Sequence, residues 1–132
     1  MDTIIVKRDG KAPVVVLKPV GEINMATFPA INTAARAEID AGNRNMVIDL
    51  TAVPYMTSAG IRLLNGLFKL LRTNAPAEND AALSKGLRDG TFKFPHLKLV
   101  NPSESVHDVI KTTGLDMVFD IYGTVDEALA SF

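Results

Sequence analysis

The chain has neither cysteine nor tryptophan. The missing thiols exclude disulfides, thiolate nucleophiles and cysteine-based metal sites, and suit a cytoplasmic protein. Only His96 and His107 offer imidazole, too few for a histidine metal cluster. We therefore expect no metal and no cofactor. Charge of one sign is missing too: 14 Lys and Arg stand against 15 Asp and Glu, for a formal net charge of −1. Without a basic excess or stripe, nothing draws nucleic acid or an acidic membrane surface. No apolar run approaches the roughly 18 residues of a membrane span, so no membrane insertion is expected. The opening MDTIIVKRDGK carries an early acid and no long apolar core, unlike a secretory signal.

What remains is 132 residues, 47% apolar and 22% charged, enough to build a core without staples. We expect one domain over 1–132. Residues 3–7 and 13–20 are rich in β-branched types, and Asp9-Gly10 between them is a hairpin signal. Phe28, Ile31, Ala35 and Ile39 follow near helical spacing, with Pro29 suited to a first helical turn and Gly42 to a stop. A third strand is expected over 44–50. A helix from about Ser58 carries Ile61, Leu64, Leu67, Phe68 and Leu71 on one face. Residues 73–95 are polar and punctuated by Gly and Pro, an extended connection with room for a short helix at 80–87. Strand 97–100, a helix opened by Pro102-Ser103 and ended by Gly114, strand 117–123 and a terminal helix capped by Thr124 complete the chain. The order ββαβαβαβα predicts an α/β fold. Its sheet is mixed and mostly parallel, with about five strands, an N-terminal hairpin and about four helices packed on it.

The stretch PYMTSAGIRLL, residues 54–64, places Thr57 and Ser58 where a strand hands over to a helix. Three chemistries fit hydroxyls at such a junction. Ser or Thr can cap the helix, worth about 1 kcal/mol. A serine there can be a nucleophile, since Met56-Thr57-Ser58-Ala59-Gly60 resembles the G-x-S-x-G elbow of hydrolases. Met56 replaces the first Gly, however, and no Gly-rich oxyanion segment precedes it. Third, a phosphate on Ser58 would meet free N–H groups and the positive end of the helix dipole, a favourable setting by up to about 2 kcal/mol. It would spare the fold while spoiling a partner surface laid against the helix start. Asp49 reads as a turn or capping group, and Met25 and Met56 as adaptable apolar contacts.

Three segments, in order, resemble the STAS family of bacterial anti-sigma factor antagonists. VVVLKPVGEINMATFPAI is similar to the family's strand, G-E-[LI]-D turn and first helix. MVIDLTAVPYMTSAGIRLL is similar to its strand ending in D-L, then D-S-[ST]-G-[LI] entering a helix. LKLVNPSESVHDVIKTTGLDMVFDIYGTVDEAL is similar to its closing strand, helix, strand and final helix. The resemblance implies a substrate and binder rather than an enzyme. Unphosphorylated, such a domain binds an anti-sigma factor that is also a serine kinase and thereby frees a sigma factor. Phosphorylation of Ser58, or less readily Thr57, blocks that binding, and a phosphatase reverses it. The partner surface is expected to draw on Glu22, Asn24, Met25, Thr27, Thr57, Ser58, Ala59, Gly60 and Arg62. Two positions depart from the family pattern: Thr57 and Asn24 stand where acids are usual, which removes negative charge around Ser58. Two other functions also fit the residues, a STAS scaffold or sensory-complex subunit that is not phosphorylated, and a small serine hydrolase.

Overall fold

The computed structural model describes residues 2–9, 13–73 and 94–132. Five strands form one sheet in the order β1-β2-β3-β4-β5: β1 Asp2–Asp9, β2 Pro13–Val20, β3 Met46–Asp49, β4 Leu97–Val100 and β5 Ile121–Tyr122. The β1–β2 pair is antiparallel, with Asp9 opposite Pro13 at the hairpin end, and the other three pairings are parallel. Helices α1 Phe28–Asp40, α2 Ser58–Thr73 and α3 Glu104–Thr112 connect successive parallel strands, and α4 Val125–Ala130 closes the chain. Each crossover moves one strand along in the same direction. With a fixed crossover hand, α1, α2 and α3 land on one face.

The core follows from that layout. On the helix-covered face Val15, Leu17, Met46, Ile48, Leu97 and Leu99 meet the apolar sides of α1, α2 and α3. On the opposite face Val14, Val16, Val47 and Val100 pack against Ala128 of α4. Strands β3 and β4 are buried on both faces, which is why MVID and LKLV read as near-continuous apolar runs. Two charged residues interrupt them, Asp49 at the end of β3 and, inside β4, Lys98. Its Nζ donates to Ser131 O at 3.1 Å and Oγ at 2.7 Å, and lies 4.4 Å from the Phe132 ring centroid. Burial lowers its pKa.

Several sequence expectations needed revision. The strand expected over 117–123 shrinks to Ile121–Tyr122, preceded by a 3-10 turn at Leu115–Met117. Leu115 and Phe119 are both buried in the helix-side core, and the Phe119 N–H donates to Leu115 O at 2.9 Å. Their four-residue spacing works as a helical turn, not as strand alternation. Strand β3 starts at Met46 rather than 44, because Arg44 Nη1 donates to Ile39 O at 3.1 Å and closes α1. The stretch 73–95, with the helix expected near 80–87, falls almost wholly outside the described residues. So does the Gly10 turn.

Candidate functional site

The carboxyl ends of β2, β3 and β4 share one rim, and the loops leaving them are tied together there. Gly21, at φ 110, turns the chain out of β2, and its N–H donates to Ala52 O at 3.0 Å. Ile23 and Met56 then form a parallel bridge between the β2–α1 and β3–α2 loops. Ile23 N donates to Tyr55 O at 3.1 Å, and Thr57 N donates to Ile23 O at 2.9 Å. Ser105 Oγ, at the start of α3, donates to Pro54 O at 3.0 Å and anchors the β3–α2 loop from the other side. Asp49 accepts from Thr51 N at 3.0 Å and Thr51 Oγ1 at 2.6 Å, the turn role expected of it.

The helix cap belongs to Thr57, not Ser58. Thr57 Oγ1 accepts from Ala59 N at 3.3 Å and lies 3.4 Å from Ile23 O. The bridge holds the backbone of residue 57 outside the helix, so α2 begins at Ser58. The Ser58 side chain is exposed, and its hydroxyl has no hydrogen-bond partner among the described residues. Ala59 and Gly60 are buried beneath it. A Cβ on Gly60 would overlap Cγ and Sδ of Met56, which is itself 1% exposed. Glycine here lets Met56 plug the core directly under the helix start.

The β2–α1 loop is a compact polar turn. Asn24 Oδ1 accepts from Ala26 N at 2.9 Å and Thr27 N at 3.1 Å, while Asn24 O accepts from Phe28 N at 2.8 Å. Thr27 Oγ1 accepts from Asn24 N and donates to Glu22 O, both at 2.9 Å. Asn24 Nδ2 donates to Glu22 Oε1 at 3.2 Å. An aspartate at 24 would accept the same two amides, so asparagine keeps the turn and drops the charge. Met25 projects from this turn at 65% exposure, and Tyr55 from the facing loop at 47%.

Between α1 and α2 runs a groove of about 650 Å³. From α2 it is lined by Ser58, Arg62, Asn65 and Lys69, at i, i+4, i+7 and i+11, with Ile61 and Gly66 beside them. From α1 come Phe28, Asn32 and Arg36. The Arg62 guanidinium lies 5.6 Å from the Phe28 ring centroid. Among the described residues, no acid and no histidine lines the groove. His96 sits elsewhere, its Nδ1 3.0 Å from Asn45 Oδ1, with its pKa lowered by burial and by the Lys98 charge.

The residues named from sequence thus fall on one rim: Glu22, Asn24, Met25 and Thr27 in one loop, and Thr57 to Arg62 in the other loop and the helix it enters. Sequence reasoning missed Tyr55, Arg36, Asn65 and Lys69. The polar spacing from Ser58 along α2 was a usable signal for the last two. Nothing in the sequence showed that Arg36 of α1 would face them.

Consecutive parallel crossovers, with α1, α2 and α3 on one sheet face and α4 on the other, and a bridged serine-bearing loop define a small α/β domain. A family model for the STAS domain matches residues 4–75, more than half of the chain, and the chain belongs to that family. Among solved structures it is similar to an anti-sigma factor antagonist from Mycobacterium paratuberculosis, at 26% identity and TM-score 0.71, over 98% of this chain and 93% of that one. It also has the fold of the anti-sigma factor antagonist SpoIIAA in its unphosphorylated form, at 20% identity and TM-score 0.69, over 96% of this chain and 93% of that one. The Bacillus cell fate determinant SpoIIAA in the phosphorylated form matches as well, at 19% identity and TM-score 0.63, over 96% of both chains.

Proposed function

We propose that this chain is a phospho-regulated protein-binding module of the anti-sigma factor antagonist type, acting in the cytoplasm. In its unmodified form it binds an anti-sigma factor that is also a serine kinase, and so releases a sigma factor. The kinase then transfers the γ-phosphoryl group of ATP to Ser58: the Oγ–P bond forms, the bond to the β-phosphate oxygen breaks, ADP leaves, and the serine proton passes to a base on the kinase. A phosphatase restores the hydroxyl. The chain itself is substrate and binder, not catalyst. Its contact surface is the rim of Glu22, Asn24, Met25 and Thr27 together with Thr57, Ser58 and Arg62, to which we add Tyr55; Ala59 and Gly60, expected there from the sequence, are buried and shape the surface from beneath.

One observation carries this: an exposed hydroxyl without a hydrogen-bond partner among the described residues stands at the first residue of α2, beside the bridged loops. The Thr57 hydroxyl is by contrast half-buried and engaged by Ala59 N, which favours Ser58 as the modified residue. A phosphate at the helix start is stabilised by up to about 2 kcal/mol, so the domain stays folded. A partner laid over that spot would have to desolvate about two negative charges, a penalty of several kcal/mol. The test is a pull-down and titration against a kinase-type anti-sigma factor encoded nearby. Ser58→Ala should bind it with ATP present or absent. Ser58→Asp should bind about thirtyfold more weakly or worse, and mass spectrometry should place one phosphate on Ser58.

The two acids missing at 24 and 57 favour a second function, a STAS scaffold or sensory-complex subunit. There, Ser58→Ala and Ser58→Asp would bind the partner equally and no kinase would modify the chain.

A further inference from the structure

We propose that the α1–α2 groove is a receptor for an acidic segment of the partner protein, and that a phosphoryl group on Ser58 fills the same receptor from within. This rests on the reading of Ser58 as the modified residue and adds the chemistry that the modification displaces.

The charge pattern carries the case. Arg36 and Arg62 enter the groove from opposite helices, Asn32 and Asn65 add amide donors, and no carboxylate among the described residues lines it. In a chain with one more acid than base overall, a groove with cations on both walls and no acid among its described lining residues is a local inversion. It also sits beside the two loops where Thr57 and Asn24 stand in place of acids. Arg62 lies against the Phe28 ring, so its planar donors have less freedom to lose on binding. Gly66 leaves the middle of the groove clear, since a Cβ there would meet nothing within 4 Å. A carboxylate-bearing segment laid between the helices fits that opening and satisfies both guanidinium groups.

Ser58 and Arg62 are one helical turn apart on α2 and line the same groove. At that spacing side chains are neighbours. A phosphoryl group on Ser58 therefore has Arg62 in reach and offers three acceptor oxygens. It competes for the cations that the partner's acid needs, so phosphorylation blocks docking by replacing the ligand as well as by repelling it.

The experiment is an NMR titration of 15N-labelled protein. The probe is a short amphipathic peptide with Glu along one helical face and Leu along the other, compared with its Gln-for-Glu counterpart and with inorganic phosphate. We expect the Glu peptide to shift Asn65, Gly66 and Asn32. It should bind about tenfold more tightly than the Gln peptide, and weaken about tenfold in the Arg36→Gln/Arg62→Gln variant. Gly66→Leu, which keeps every charge, should block it. Protein carrying phosphoserine installed at residue 58 during synthesis should bind it about tenfold more weakly, and in that protein the phosphoserine pKa should rise when Arg62 becomes Gln. Equal binding of both peptides, shifts away from the groove, tighter binding of inorganic phosphate than of the Glu peptide, or indifference to Gly66→Leu would overturn the proposal. The installed phosphoserine makes these results independent of any kinase. A chain that no kinase modifies, but whose groove takes the Glu peptide, would end the switch and leave the receptor.

Discussion

The two long sides of α2 obey different rules. On one side Leu63, Leu64, Leu67 and Leu71 are at most 1% exposed and sit in the helix-side core. On the other, Ser58, Arg62, Asn65 and Lys69 line an open groove. The buried side sets where the helix lies, and substitutions there are felt throughout the fold. The groove side contributes little to stability, and that indifference leaves it free to carry charge, a modifiable hydroxyl and a partner.

The difference can be broken most sharply from the buried side. Leu67→Ala should lower unfolding free energy by about 2 to 5 kcal/mol, read by urea denaturation. At temperatures where the variant is still folded, Glu-peptide binding should be unchanged. Gly60→Ala comes next. The added methyl must displace Met56 from its place under the helix start, at a cost of about 1 to 3 kcal/mol. A wild-type unfolding midpoint for Gly60→Ala would show that Met56 repacks freely.

The two adjacent hydroxyls sharpen the contrast at a finer scale. Thr57→Ala removes the cap on Ala59 N and should cost about 1 kcal/mol. Ser58→Ala removes no hydrogen bond and should stay within about 0.5 kcal/mol of wild type. If the two variants exchanged these effects, the helix start assigned here would be wrong.

The smallest effect lies far from the groove, at His96. Its pKa is lowered in the folded state, by burial first and the Lys98 charge second. The folded protein therefore binds fewer protons than the unfolded chain. That contribution is fully present above the ordinary histidine pKa near 6.5 and is lost as pH falls below it. Stability measured from pH 7.5 to 5 should decline, and His96→Gln should flatten that decline. An unchanged slope in His96→Gln would assign the decline to other groups.

Much of this was legible from the chain. The β-branched runs, Pro29, Thr124 and the apolar spacing of α2 located elements whose formation is local: Pro29 lies in the first turn of α1, and Thr124 Oγ1 accepts from Glu127 N at 3.2 Å. The serine-bearing junction was legible too, because a strand-to-helix handover is written in the change of period. Misreadings occurred where a distant contact decided the outcome. Phe119 looked like part of a strand until the core claimed it. Thr57 and Ser58 looked interchangeable as caps until the bridge from Ile23 held residue 57 outside the helix.

The order and type of most elements and the position of Ser58 at a helix start were set by the sequence, since each follows from propensity and period within a few neighbouring residues. Only the tertiary structure decided which hydroxyl stays unbonded and that Arg36 faces Arg62 across a groove. Those depend on pairs 34 and 26 residues apart, Ile23 with Thr57 and Arg36 with Arg62. No local pattern encodes such a pair until the sheet has brought its two loops to one rim.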